Sequence, residues 1–206
     1  MLAAGPGWGW RMTPRIVGLL ALLPMVLLLL AVVWEDVKRQ RIPNRLVFLG
    51  AGLGLMLNTF LPEGFGFVSH APGGVGFLNA TAGLASGLVT LLPMYLVRVM
   101  GAGDVKLMAM VGAFLGLNDI LGAILATFLA GGVLSLGFAW KTGVLRRTLQ
   151  NIRFIVCSGA VKIAGGSVPT IEDTPESAGR FPYAVAIAVG TVGYLAWKSI
   201  WRIGWF

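Results

Sequence analysis

The sequence predicts an all-α integral membrane protein with about six transmembrane helices and a basic amphipathic helix at the membrane interface. Of the 206 residues, 57% are hydrophobic and only 12% are charged, about half the charged share of a soluble domain. The mean hydropathy is +0.84. Apolar runs long enough to cross a bilayer alternate with short polar segments. At this length we expect one membrane-embedded domain that covers residues 1–206.

Helix-breaking and polar residues mark the turns between the expected spans. The first apolar run follows a basic segment, but it is long enough to span and has no clear cleavage site after it, so we interpret it as a retained helix. Pro43 breaks the helical hydrogen-bonding pattern after the first span, and Asn44 is expected to cap the second helix. Pro93 lies within the third run and should kink it. The expected spans cover residues 16–34, 46–61, 78–97, 105–117, 120–140 and 180–201.

Residues 141–180 differ in character from the spans. Apolar residues recur there at helical spacing, with polar residues between them: Leu145, Leu149, Ile152 and Val156 on one face, and Arg146, Gln150 and Arg153 on the other. This pattern predicts a basic amphipathic helix that lies in the interface against anionic lipid. The polar, glycine-containing segment after it predicts a flexible cytoplasmic loop.

Basic residues are concentrated on one side of the predicted membrane. The net charge is +8, but the basic clusters lie between apolar runs, which indicates membrane orientation and no nucleic-acid partner. Of the 16 Lys and Arg residues, 12 follow spans one, three and five, and this side is therefore expected to be cytoplasmic. These are Lys38, Arg39, Arg41, Arg45, Arg98, Lys106, Lys141, Arg146, Arg147, Arg153, Lys162 and Arg180.

The sequence contains one cysteine, Cys157, and one histidine, His70. A single cysteine excludes an internal disulfide and a CxxC zinc module, and a single histidine leaves no histidine cluster for a metal. We interpret Cys157 as an apolar filler and His70 as a solvated loop residue. The expected chemistry therefore uses no metal and no cofactor.

Two carboxylates, Asp36 and Asp104, lie at the ends of apolar helices on the predicted cytoplasmic side. Asp104 belongs to the stretch GAGDVKL at 101–107, inside apolar sequence where an ionisable group costs about 2.5–3.5 kcal/mol to insert. Gly101 and Gly103 are candidate substrate-binding residues, because they let an extended backbone come close. Two converging carboxylates share one proton, so the pair holds an acid and a base that activate water against a peptide carbonyl.

Simpler roles stay open for these residues. In the simplest alternative, Asp104 serves only as the N-cap of a helix that begins at Val105, and the glycines form the turn. Lys106 is expected to extend to the lipid headgroups. Glu35 adjoins Asp36 but points about 100° away around a helix, so only one of the two faces the bundle.

Three motifs occur in order along the chain: Asp36 followed by basic residues and Ile42-Pro43-Asn44, then GAGDVKL at 101–107, then Pro182-Tyr183-Ala184. Together they resemble the type IV prepilin peptidases, which are GxGD-type aspartic proteases of the membrane. The resemblance implies that Asp36 and Asp104 are the catalytic aspartates. It also implies a substrate with a short basic leader before an apolar helix, cut at the cytoplasmic face of a bacterial or archaeal plasma membrane.

Longer members of that family carry an N-terminal methyltransferase portion with paired CxxC motifs, which this sequence lacks. It therefore resembles the short, peptidase-only members associated with Flp-type (tight adherence) pili. Two other functions are alternatives. A proton- or ion-coupled transporter would use the same carboxylates as an ion path, but the sequence shows no inverted repeat and no other deep charge. A non-catalytic assembly subunit would not need both aspartates.

The predicted orientation can be tested by thiol labelling. We expect a cysteine at Ser69 to react with an impermeant reagent added outside intact cells, and a cysteine at Gln40 not to react, because the positive-inside rule places them on opposite sides. Cys157→Ser removes the native thiol first. Labelling in the reverse pattern would contradict the cytoplasmic placement of Asp36 and Asp104.

Overall fold

A computed structural model describes residues 14–61, 75–141 and 182–203, and these form six α-helices. The helices are α1 (Pro14–Arg39), α2 (Asn44–Phe60), α3 (Phe77–Leu96), α4 (Ala102–Leu115), α5 (Leu117–Lys141) and α6 (Tyr183–Ile203). The all-helical prediction is confirmed for this part of the chain. The interfacial helix and loop expected within 141–180 lie outside the described residues, apart from Lys141 at the end of α5.

Three of the helices are long and apolar enough to cross a membrane: Phe77–Leu96, Leu117–Phe138 and Tyr183–Ile200. Helices α2 and α4 have only 17 and 14 residues, and α1 ends in a turn that carries several charges. A membrane protein is therefore indicated, while the number of six spans stays a prediction.

Helix α4 lies at the centre of the bundle and contacts each of the other five helices. Val105 and every residue from Leu107 to Leu115 are buried, and all of them are apolar or glycine. A helix that is apolar on all sides is typical of a position enclosed by protein or lipid. The ionisable side chains of α4, those of Asp104 and Lys106, lie within its first five residues.

Glycines set the crossing of α3 and α4. A Cβ built on Gly112 would lie 2.7 Å from the carbonyl carbon of Gly83, and one built on Gly83 would lie 2.6 Å from the carbonyl carbon of Gly116. One turn further along, a Cβ on Gly87 would lie 2.7 Å from the carbonyl oxygen of Met108. Small residues let helix backbones come this close where lipid supplies no hydrophobic drive for association.

Asparagine side chains close the sharp connection between α4 and α5. Gly116 ends α4 with a φ of 75°, a backbone conformation that favours glycine. The amide of buried Asn58 donates to the carbonyl of Ala113 at 2.8 Å, and Asn79 Oδ1 accepts the N–H of Leu117 at 3.0 Å. These bonds satisfy backbone groups that the helix ends leave without a partner.

Three predicted boundaries were wrong. Asn44 is the first residue of α2, and the N-cap position belongs to Pro43, which makes no side-chain capping bond. Helix α4 begins at Ala102 rather than Val105, so Asp104 is its third residue and not its N-cap. The break between the fourth and fifth helices falls at Gly116, and Asp119 belongs to the first turn of α5.

The α3–α4 crossing can be tested with one added methyl group. We expect Gly112→Ala to lower the free energy of unfolding in detergent by about 1–3 kcal/mol, because overpacking forces the two backbones apart. Gly132→Ala is the matched control, since nothing lies within 4 Å of a Cβ built there. Equal unfolding midpoints for the two variants would contradict the crossing described here.

Candidate active site

Asp36 lies in the last turn of α1 and is only 7% exposed. Its Oδ2 accepts the backbone N–H of Ala184, 148 residues later, at 3.2 Å. Ala184 is in the first turn of α6, where N–H groups have no partner within the helix. The carboxylate of Asp36 therefore joins the end of α1 to the start of α6.

Asp104 lies in the first turn of α4 and is partly buried. Its Oδ2 reaches back over that turn and accepts the N–H of Gly101 at 3.2 Å, which is the side-chain half of a capping box. Negative charge at this end of a helix is stabilised by the helix dipole. Gly103, the residue before Asp104, packs on Ile42, six residues after Asp36, so the start of α4 lies against the connection that follows the last turn of α1.

The two glycines of the motif have different surroundings. Gly101 is exposed and extended, with φ −75° and ψ 150°. A Cβ built on Gly103 would lie 3.0 Å from the Cβ of Ile42, so the backbone of α4 is packed against the α1–α2 connection there. Substrate binding by Gly101 and Gly103 stays a prediction.

Lys106 contacts α2. Its Nζ donates to Asn44 Oδ1 at 3.3 Å and lies 5.9 Å from the centre of the Phe48 ring. Together with the packing of Ile42 on Gly103, the bond to Asn44 brings the first two sequence motifs into direct contact. The expected extension of Lys106 to the lipid headgroups stays a prediction.

Within the described part of the chain, two residues other than glycine have a positive φ, and they lie at the turns that follow α1 and α3. Gln40 has φ 51° and Arg98 has φ 58°, values that are uncommon outside glycine. The N–H of Gln40 donates to the carbonyl of Asp36 at 2.8 Å, and that of Val99 donates to the carbonyl of Met94 at 2.9 Å. Such bonds end a helix sharply, so the chain turns directly after α1 and α3.

The exposed face of α1 carries the charges that border Asp36. Glu35 pairs with Arg39 at 3.1 Å near the surface, and Lys38 Nζ lies 4.1 Å from the centre of the Trp34 ring. The expectation that only one of the two neighbouring carboxylates faces the bundle is confirmed, and that one is Asp36. No group of three or more His, Cys, Asp or Glu side chains suited to a metal ion occurs within residues 14–61, 75–141 and 182–203.

Residues 22–136, more than half of the chain, match the type IV leader peptidase family. The chain belongs to this family. The family consists of proteases of the aspartic type that act on prepilins, so the resemblance drawn from the motifs is confirmed. Asp36 and Asp104 lie within the matched region, and α6 lies beyond it. No curated protein and no solved structure matches the chain.

Sequence reasoning missed two contacts in this leader peptidase. One is the bond from Ala184 to Asp36, although Pro182-Tyr183-Ala184 had been noted as a motif without a role. The other is the bond between Lys106 and Asn44. For the first contact the available signal was the motif itself. For the second, Asn44 and Lys106 had been given other roles, as a helix cap and as a contact to lipid headgroups.

The bond between α1 and α6 predicts different effects for two substitutions of one residue. Asp36→Ala should lower the free energy of unfolding by about 1–3 kcal/mol, because it leaves the buried N–H of Ala184 without an acceptor. Asp36→Asn keeps an accepting oxygen and should unfold close to the parent. Thermal unfolding in detergent measures both. Equal losses for Asn and Ala would show that this bond does not hold α6.

Proposed function

We propose that the chain is a membrane aspartic endopeptidase that cleaves the basic leader of Flp-type prepilins at the cytoplasmic face. Asp36 and Asp104 are the catalytic pair in this proposal. The observation that carries it is that the start of α4, which holds Asp104, packs through Gly103 on Ile42, six residues after buried Asp36 at the end of α1. Membership of the leader peptidase family supports the same reaction.

The proposed reaction needs one carboxylate protonated and the other ionised. The ionised group takes a proton from water as the water oxygen attacks the carbonyl carbon of the scissile peptide bond. The protonated group gives its proton to the carbonyl oxygen. When the C–N bond breaks, the carboxyl group protonated in the first step gives its proton to the leaving amine nitrogen. A hydroxyl of the tetrahedral intermediate returns its proton to the other carboxylate as the new carboxyl product forms, so the pair again holds one shared proton.

Backbone donors hold both carboxylates before substrate arrives. Asp36 accepts from Ala184 and Asp104 accepts from Gly101, each at 3.2 Å. Bonds of this kind fix side-chain rotamers, which lowers the reorganisation needed to reach a reactive geometry. The donors come from two different helix starts, so the relative position of α4 and α6 governs the position of the pair.

The first-turn glycine beside Asp104 suits an extended substrate. Gly101 is exposed and presents no side chain, which leaves room for a substrate backbone next to the carboxylate. Gly103 is covered by Ile42, so we assign the closer substrate contact to Gly101. An apolar helix after the cleavage site would lie in the bilayer beside the exposed apolar faces of the bundle.

The catalytic pair predicts that single, nearly isosteric substitutions stop cleavage. Asp36→Asn and Asp104→Asn should each slow cleavage of a co-expressed prepilin by about 10²–10⁴-fold, because each removes one partner in proton transfer. The measurement is the ratio of precursor to mature pilin on gels, with N-terminal sequencing of the product.

Glu35→Gln is the matched control. It alters the neighbouring carboxylate, which pairs with exposed Arg39, and it should cleave at close to the parent rate. A transporter that uses the two aspartates as an ion path would leave the prepilin uncut with every variant and with the parent. Near-parental cleavage by either Asp→Asn variant would disprove the catalytic pair.

A further inference from the structure

A second buried carboxylate lies towards the other end of α6. Asp119, in the first turn of α5, is 3% exposed. Its Oδ1 accepts the hydroxyl of Tyr194 at 2.8 Å and pairs with Nζ of Lys198. Tyr194 and Lys198 lie 10 and 14 residues after Ala184, about 15 and 21 Å along the helix axis. The cluster is therefore too distant to touch the candidate active site.

The Asp119 carboxylate depends on α6. Both partners named above belong to α6, and Asp119 Oδ2 is buried with no hydrogen-bond partner within the described residues. A buried charge that loses its partner is strongly unfavourable, particularly in apolar surroundings. Displacement of α6 along α5 would leave this charge unpaired, so the cluster favours one register of the two helices.

The seam between α5 and α6 is closely packed along its length. Gly122 packs against the ring of Tyr194, and a Cβ built on Gly190 would lie 2.6 Å from the backbone nitrogen of Thr127. At the end nearer to Asp36, a Cβ built on Gly131 would lie 3.2 Å from the Tyr183 ring. With so little free space along the seam, a shift at the Lys198 end of α6 would be transmitted to its start.

We propose that Asp119, Tyr194 and Lys198 are positioning residues for the peptidase site. They fix the register of α6 on α5 and thereby hold the N–H of Ala184 against Asp36. The inference rests on the proposed function and extends it to side chains that contact neither the substrate nor the catalytic pair. It predicts that loss of the ion pair lowers cleavage through movement of α6.

A cysteine pair reports the docking of α6 independently of cleavage. A Cβ built on Gly131 lies 3.4 Å from the Cβ of Ala186, near the 3.5–4.5 Å typical of disulfides. Gly131→Cys with Ala186→Cys, in a Cys157→Ser background, is the parent for every comparison. Its disulfide yield under a mild oxidant in membranes measures the α5–α6 seam close to the site, and its reduced form supplies the reference rate.

In this parent, Lys198→Met should lower both the disulfide yield and kcat for prepilin cleavage, the latter on the order of a hundredfold in the reduced protein. KM should change less, because the leader does not touch the cluster. Adding Asp119→Asn removes the unpaired charge, keeps an oxygen for Tyr194 and should restore both readouts. The disulfide, once formed in the Lys198→Met protein, should also restore kcat, because it replaces the lost constraint.

Lys141→Met is the matched control for the loss of a lysine. Lys141 lies exposed at the C-terminal end of α5, away from Asp119, so this variant should leave both the disulfide yield and kcat unchanged. If the Lys198→Met protein does not accumulate in the membrane, Tyr194→Phe takes its place as the variant that weakens the cluster. It is then compared with the double variant Asp119→Asn with Lys198→Met, in which no charge is left unpaired. If a variant of the cluster loses cleavage but keeps its disulfide yield, the positioning role is wrong. The same holds if the variant loses disulfide yield but cleaves at an unchanged rate. A parent that forms the disulfide but cuts no prepilin refutes the proposed function itself.

Discussion

Helix α4 occupies the centre of the bundle because α3 crosses it backbone to backbone at Gly83 and Gly112. Any larger side chain at this crossing would separate the two helices and move the first turn of α4, which carries Asp104. That turn is also the surface on which the α1–α2 connection rests, through Ile42 on Gly103 and Asn44 on Lys106. The close crossing therefore determines where both sequence motifs lie, although it contains no polar side chain.

Carboxylates hold α6 at two places along its length, and each makes a different kind of bond. Asp36 accepts a backbone N–H that has no partner within its own helix. This one bond satisfies both the N–H of Ala184 and the buried carboxylate of Asp36. Asp119 instead pairs with the side chains of Lys198 and Tyr194. The first arrangement suits a residue proposed to react, because the backbone donor leaves no competing charge beside it. The second suits a fixed structural element.

Much of the fold follows from local sequence, because hydropathy and helix-breaking residues act over short distances. The helices and the position of Asp36 and Asp104 at helix ends were predicted in this way. The errors came from contacts between distant segments. Asn44 is a residue type that often caps helices, but in the folded chain Lys106, 62 residues later, takes its side-chain oxygen. Asp119 and Lys198 pair across 79 residues of sequence, and no local pattern indicates that contact.

The register of α6 is the part of the site that chain connectivity constrains least. Helices α4 and α5 are joined through Gly116 alone, and α1 and α2 by only four residues, so those pairs have little freedom to slide. Residues 142–182 separate α5 from α6, so no short connection opposes a one-turn shift of α6 along α5. Such a shift moves a helix by about 5.4 Å, enough to remove Ala184 from Asp36. Side-chain contacts along the α5–α6 seam therefore contribute to the register, and the Asp119–Lys198 pair disfavours a mismatch because it would leave a buried charge unpaired.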